Sequence, residues 1–326
     1  MGDLMTRALL SKMSAFLVLT FMSLPLRAGE APKVVVTIKP IHSLVARLMA
    51  GIGQPQLIVD GSASPHTFTL KPSTARAINE ADVFIRVSDT LEPFTRKIVS
   101  SLPSAVTVVT LIDAQGVKLF DQRHGGTFEK HVHGHEEANA EGHAEEAEDH
   151  DEDGKDGHIW LDPVNAKAIV AASAKAIAKR YPEYAEKLRQ NEAAIDADLD
   201  ALDREIATEL KPVRDKPFIV FHDATQYFER HYGLQAAGSI TVSPDVAPSA
   251  KRLTEVRGKI AALGAVCVFT EPDFQPNLVA AVTEGSRSRA GTLDAEGQLL
   301  TSGPDLYDVL LRGLAHNLAG CLTAPS

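Results

Sequence analysis

Short apolar runs rich in β-branched residues alternate along the chain with stretches of helical or loop character. The first series occupies residues 33–38, 56–60, 81–88 and 106–112, with patterns such as 41–50 and 73–80 between its members. A second series follows at 217–222, 235–240, 265–270 and 290–293, with helical stretches notably at 249–263 and 305–319. Strands of this length alternating with helices predict parallel α/β units. Between the two series, Leu188, Ile195, Leu199, Leu202, Ile206 and Leu210 recur at spacings of three, four or seven, which puts them on one helical face. Pro182 suits the first turn of that helix. Over residues 182–210, at 1.5 Å per residue, it is about 43 Å long.

The pattern therefore predicts an α/β fold of two parallel-sheet lobes flanked by helices. An N-terminal lobe spans 32–181, one long rigid linker helix 182–210, and a C-terminal lobe 211–326. A length of about 300 residues beyond the first segment exceeds a typical single core, which agrees with two lobes. A continuous helix pins the lobes rather than hinging them, and strand ends converge on the cleft between them.

Composition changes the picture at three places. Residues 1–28 carry Arg7 and Lys12, then an apolar run from Ala15 to Leu26 broken by Pro25, with small residues at Ala28, Gly29 and Ala31. This is the layout of a secretory signal, too short and wrongly flanked for a membrane span. Cleavage is expected after Ala28 or Ala31, and no cysteine follows the run to support lipid-anchored export. A periplasmic protein is the expectation. In such an oxidising compartment Cys267 and Cys321 are expected to form a disulfide, and the pair is too sparse for a cysteine zinc site.

The third place is residues 120–157, which hold 13 Asp and Glu against 3 Lys and Arg, a net of −10 that equals the net charge of the whole chain. The remainder is neutral, so there is no electrostatic case for nucleic acid. The tract reads as a disordered acidic loop. Its histidines are not incidental: His124, His131, His133, His135, His143 and His150 are half of the 12 in the chain. Imidazole and carboxylate together bind borderline divalent cations such as Zn²⁺.

Three further histidines fall at the ends of predicted strands. His66 lies on a loop between a strand and the helix opening at Pro72 and Ser73. His158 precedes a helix start at Asp162 and Pro163, with Asp162 as its cap, and His222 sits at the tip of the buried run Phe218–Phe221. A lone strand-end histidine is more often structural than a ligand. Three from three loops, together with the tract, point to metal. Three neutral imidazoles with water or a carboxylate in the fourth position suit tetrahedral Zn²⁺ and disfavour Mn²⁺. His42, His231 and His316 lie within predicted helices and read as surface or core residues.

These residues resemble the substrate-binding proteins of metal-specific ABC importers, in particular the zinc-binding ZnuA type. The elements that carry the resemblance are Ser64, Pro65 and His66 with Leu70 to Ser73; His158 to Pro163; Phe221 to Ala224 with Tyr227 and Phe228; and Gly291 to Asp294. The resemblance implies a long helix joining two α/β lobes, a metal cleft between them, and zinc ligation by His66, His158 and His222. It also implies delivery to an ABC permease in the inner membrane driven by a cytoplasmic ATPase, with the receptor working as a monomer. Manganese-binding relatives usually carry a carboxylate at the place of His222. Some zinc members have an acidic residue just before the first histidine, where this chain has Pro65, so the fourth ligand stays open between water and Asp294, which reads equally well as a turn residue before Gly297. Manganese or iron as cargo, a zinc hydrolase and a bulk metal buffer remain alternatives. Against the hydrolase stands the absence of a His-Glu-x-x-His helix.

Overall fold

Val34–Ile38 (β1), Gln56–Val59 (β2), Val83–Arg86 (β3) and Thr107–Thr110 (β4) form one parallel sheet in the order β2-β1-β3-β4. Phe218–Val220 (β5), Ala236–Ser239 (β6), Cys267–Thr270 (β7) and Arg289–Thr292 (β8) repeat that order as β6-β5-β7-β8. The computed structural model describes residues 31–123, 128, 154–241, 247–263, 267–272 and 276–324. The expected export segment, 1–28, and the six tract histidines, His124, His131, His133, His135, His143 and His150, lie outside the described residues.

Side-chain alternation explains why each sheet is apolar on both faces. Val34, Val36 and Ile38 of β1 join the largest core, while Val35 between them joins a smaller outer cluster. In β5, Phe218 and Val220 face the same large core and Ile219 an outer cluster. The helices Lys39–Leu48 (α1), Pro163–Arg180 (α4) and Leu306–Thr323 (α9) supply much of that shared core. Further helices are Pro72–Asn79 (α2), Arg96–Val99 (α3), Gln226–Tyr232 (α6), Ala250–Leu263 (α7) and Pro276–Thr283 (α8). Because one apolar core runs continuously from the first sheet to the second, rotating the halves apart would expose it to water.

The long helix is Ala185–Leu210 (α5), preceded by a 3₁₀ turn at Pro182–Tyr184. It is therefore one turn shorter than the periodicity predicts, because the chain tightens after Pro182 as helix starts often do. Its buried residues are the six expected ones: Leu188, Ile195, Leu199, Leu202, Ile206 and Leu210. Asn191 ties it to the end of α1 through the Leu48 and Ala50 carbonyls at 2.8 and 3.0 Å, and Glu205 ties it to Arg312 of α9.

Cys267 and Cys321 are joined, as expected, fastening the first residue of β7 to the last turn of α9 across 54 residues. Closing a loop of that size stabilises by about 4 kcal/mol in the chain-entropy model, with measured values usually lower. Reduction should lower the unfolding free energy by about 2–4 kcal/mol. Urea midpoints of the oxidised and reduced protein that coincide would rule this out.

The acidic tract is not irregular throughout. Asp121 and Lys155 pair as an antiparallel bridge, and Gln122 N donates to Gly154 O at 2.8 Å while Asp156 N donates to Phe120 O at 2.9 Å. Arg123 is half-buried against Asp223 and Glu229, with bonds of 2.9–3.0 Å and 2.7 Å. The expected loop of 120–157 is thus ordered at both ends, because these residues find partners that composition does not reveal.

Candidate metal site

In an open parallel sheet the carboxyl ends of the strands, at the point where strand order reverses, are where loops diverge and leave a crevice. Both sheets direct those ends at the same cleft. His66 comes from the loop after β2, His158 from the turn before α4, and His222 from the residue pair that follows β5. One ligand-capable nitrogen of each lies within 4.8 Å of the others. The three rings meet with centroids 5.3–5.7 Å apart. All three expected ligands are therefore brought together, across a distance of more than 150 residues in the chain.

Local structure aims two of the rings. His158 lies next to a 3₁₀ turn, Ile159–Leu161, and α4 starts from Asp162, whose Oδ1 accepts the Val164 N–H at 2.8 Å with Pro163 in the first turn. Gly157, just before it, has no room for a side chain: a Cβ there would stand 2.9 Å from Leu91 Cβ. Asp156 Oδ1 accepts both the backbone N–H of His158 at 3.0 Å and its Nδ1–H at 2.7 Å. Glu271, the residue after β7, does the same for His222, at 3.2 and 2.5 Å. A carboxylate on Nδ1 fixes the tautomer that turns the Nε2 lone pair toward a cation.

The two Nε2 atoms face each other at 3.4 Å. Ligands at about 2.0–2.1 Å from a tetrahedral Zn²⁺ stand roughly 3.3–3.4 Å from one another. The pair is thus already at zinc spacing.

Asp294 is not among these groups. Its Oδ1 accepts Gln298 N at 2.8 Å and its Oδ2 accepts Leu299 N at 3.0 Å, so both oxygens close the turn around Gly297, whose φ is +71°. The carboxylate of this loop that approaches the histidines is Glu296. Its Oε1 is 3.7 Å from His66 Nε2 and accepts from Ser64 Oγ at 3.3 Å, and its Oε2 accepts from Gln298 Nε2 at 3.0 Å. The other histidines among the described residues stay out of the cluster: His42 bonds Pro55 O, His231 sits between Asp162 and Asp203, and His316 is at the surface beside Glu209.

Electrostatics distinguishes the donors. Burial, then the neighbouring His158 and His222, push the His66 pKa well below its usual value, and His66 Nε2 is a buried atom with no hydrogen-bond partner. Burial also opposes protonation of His222, but Glu271 outweighs it with help from Glu296 and Asp223 and holds its pKa at about 8. Burial raises the Glu296 carboxyl to about 7, with Glu271 adding to the rise and His222 and His158 working against it. The cavity has about 220 Å³, bounded by Thr90, Leu91, Gln122, Arg123, Asp156, Gly157 and Asp223 besides the three histidines. That is room for a cation with several waters, each occupying roughly 30 Å³.

Fold and site together define a two-lobed solute-binding protein with a cation-type cleft. The family described as "Zinc-uptake complex component A periplasmic" matches residues 34–321, and this chain belongs to it. Among relatives, the "High-affinity zinc uptake system protein ZnuA" of Brucella suis is 47% identical over 311 residues, covering 91% of this chain and 93% of that one. The protein of the same name from Yersinia pestis is 32% identical over 300 residues, covering 89% and 91%. Solved structures share the fold: one named "Crystal structure of ZnuA" at TM-score 0.72 and 22% identity, and the periplasmic zinc binding protein TroA of Treponema pallidum at 0.73 and 21%. Each covers 90% of this chain and is itself covered in full.

Proposed function

We propose that this protein captures Zn²⁺ in the periplasm at His66, His158 and His222 and delivers it to a membrane permease driven by a cytoplasmic ATPase. The observation that carries the reading is the 3.4 Å approach of two Nε2 atoms whose Nδ1 partners are carboxylates. Glu296 Oε1 is the fourth donor in this reading, in place of Asp294. Three nitrogens and one oxygen favour zinc over manganese, which prefers oxygen-rich coordination. Export through a cleaved segment at residues 1–28 and the division into lobes 32–181 and 211–326 belong to the same reading. So does an auxiliary role in zinc acquisition or sensing for the histidine-rich tract. The protein acts as a receptor, and no covalent step is assigned to it.

The ordered ends of the tract set the cut points for a test. Joining Arg123 to Gly154 through a short glycine linker, with 124–153 deleted, keeps the Gln122–Gly154 bond and Asp156. Zinc stoichiometry is expected to fall while one tight ion remains. Loss of the tight ion on deletion would move the principal site into the tract and sink the reading.

The pH dependence has a defined sign. Without an ion His222 holds a proton below about pH 8 and Glu296 below about pH 7. Zinc must displace those protons, so apparent affinity falls as pH falls. The expected loss is about tenfold per pH unit between 8 and 7 and steeper below 7. A flat profile from pH 8 to pH 6 in a competition titration would contradict it.

A further inference from the structure

We infer that Lys39 is a positioning residue for the fourth zinc donor and that it helps to set the choice of zinc over manganese. This rests on the reading of Glu296 as that donor.

Lys39 is the first residue of α1, directly after β1, and its side chain is almost wholly buried. Three physical effects oppose a lysine there. The helix macrodipole disfavours a cation at the N-terminus, burial strips water from the ammonium, and a long side chain loses rotamer freedom. What offsets them is one loop on the other half of the molecule. Nζ donates to the carbonyls of Gly297, Gln298 and Leu300 at 3.2, 3.0 and 3.0 Å. Those acceptors follow immediately on Glu296.

The chain of contacts continues to the site. Gln298, held by its carbonyl, donates from Nε2 to Glu296 Oε2 at 3.0 Å. That occupies one carboxylate oxygen and leaves Oε1 to face His66 Nε2 at 3.7 Å. Farther along the same segment, Ser302 donates to Asp60 and Ser43 donates to the Pro304 carbonyl, at 2.6 and 2.8 Å. A loop that belongs by sequence to the second sheet is therefore held by groups of the first: Ser64 touches the Glu296 carboxylate itself, and Lys39 grips the backbone that follows directly on it. Fixing Glu296 with one oxygen inward limits the site to four donors. Releasing it lets both oxygens reach the ion, and higher oxygen coordination suits manganese.

The test is a competition titration on the full protein for wild type, Lys39→Met, Glu296→Gln and the double variant, each with Zn²⁺ and with Mn²⁺. Supporting groups around metal ligands typically contribute about 10–100-fold in affinity. The expected result is a loss of roughly tenfold for zinc in Lys39→Met, a smaller loss for manganese, and no further zinc loss when Lys39→Met is added to Glu296→Gln. Cobalt-substituted Lys39→Met should also show weaker visible absorption than wild type, as four-coordinate geometry is lost. If Lys39→Met does not fold, Lys39→Arg keeps the buried charge, but its planar fork cannot converge on three carbonyls from one nitrogen, and the same losses are expected. A zinc loss that persists undiminished in the Glu296→Gln background would overturn the inference and make Lys39 a general structural pin. Wild-type affinity and spectrum in a folded Lys39 variant would overturn it as well. Wild-type zinc affinity in Glu296→Gln would instead remove the donor reading on which it rests.

Discussion

His222→Ala is expected to weaken zinc binding by on the order of 10²–10³-fold. Structural zinc sites bind with roughly 10–16 kcal/mol across four ligands, about 2.5–4 kcal/mol for each, and that share corresponds to the stated loss. His222 is the position where the loss is cleanest. Its imidazole is buried and directed by Glu271, so no water-filled alternative geometry is at hand, and removing the ring leaves the Glu271 carboxylate without its 2.5 Å partner. Glu271→Gln serves as the graded control: it retains an acceptor for Nδ1–H but not the charge, and about 10–100-fold is expected. Titration against a chromophoric zinc chelator measures both, with circular dichroism to show that each variant is folded. An unchanged tight site in His222→Ala would place zinc elsewhere and make the bulk buffer the better account.

Much of this arrangement is legible in the sequence. β-branched runs located the strands, one helical face located α5, and the rule that ligands gather at carboxyl strand ends picked out His66, His158 and His222. The same rule reaches Glu271, which follows β7 as His222 follows β5, and extending it to acidic residues would have found it. Glu296 was not legible. Asp294 and Glu296 share one loop, and which of two carboxylates turns inward depends on Asp294 accepting the Gln298 and Leu299 amides. Asp156 was hidden differently, as one acid among 13 in a tract whose composition reads as solvated. Its role arises only because Phe120 to Gln122 pair with Gly154 to Asp156, and a long-range pairing of that kind leaves no periodic trace.

The supporting carboxylates show how the cleft is kept rigid without a closed cavity. Asp156, Glu271 and Glu296 each come from a different loop, and each also bonds a group that is not a zinc donor. Asp156 takes the His158 amide and Gln226 Nε2, Glu271 takes the His222 amide, and Glu296 takes Ser64 and Gln298. Arg123 fixes Asp223, next to His222, at the mouth. The imidazoles of His158 and His222 are thus held at ligand spacing by bonds that do not need the ion, and preorganisation of this kind reduces the ordering cost of binding.

Trp160→Ala is expected to be the most destabilising single substitution in the core near the site, by about 3–5 kcal/mol. The ring is fully buried, its Nε1–H donates to the Ala295 carbonyl at 3.0 Å, and its own carbonyl accepts from Tyr307 Oη at 2.7 Å. It therefore joins the turn after His158 to the residue before Glu296 and to α9, and its loss leaves a cavity and an unpaired buried carbonyl together. Trp160→Phe separates the two effects, since it keeps most of the volume and loses the hydrogen bond, and about 1–3 kcal/mol is expected. Because this is the only tryptophan in the chain, unfolding must be followed by far-UV circular dichroism rather than by fluorescence. Urea curves should be recorded with a chelator and again with zinc in excess. Zinc at a thousandfold over Kd adds about 4 kcal/mol to a protein that binds it only when folded. The ring of Trp160 lies 5.3 Å from that of His158, so the alanine variant should gain less from zinc than wild type does. A loss below about 1 kcal/mol for Trp160→Ala with the chelator present would mean that the cavity collapses without penalty. An undiminished gain from zinc would show that Trp160 supports the fold but does not position His158.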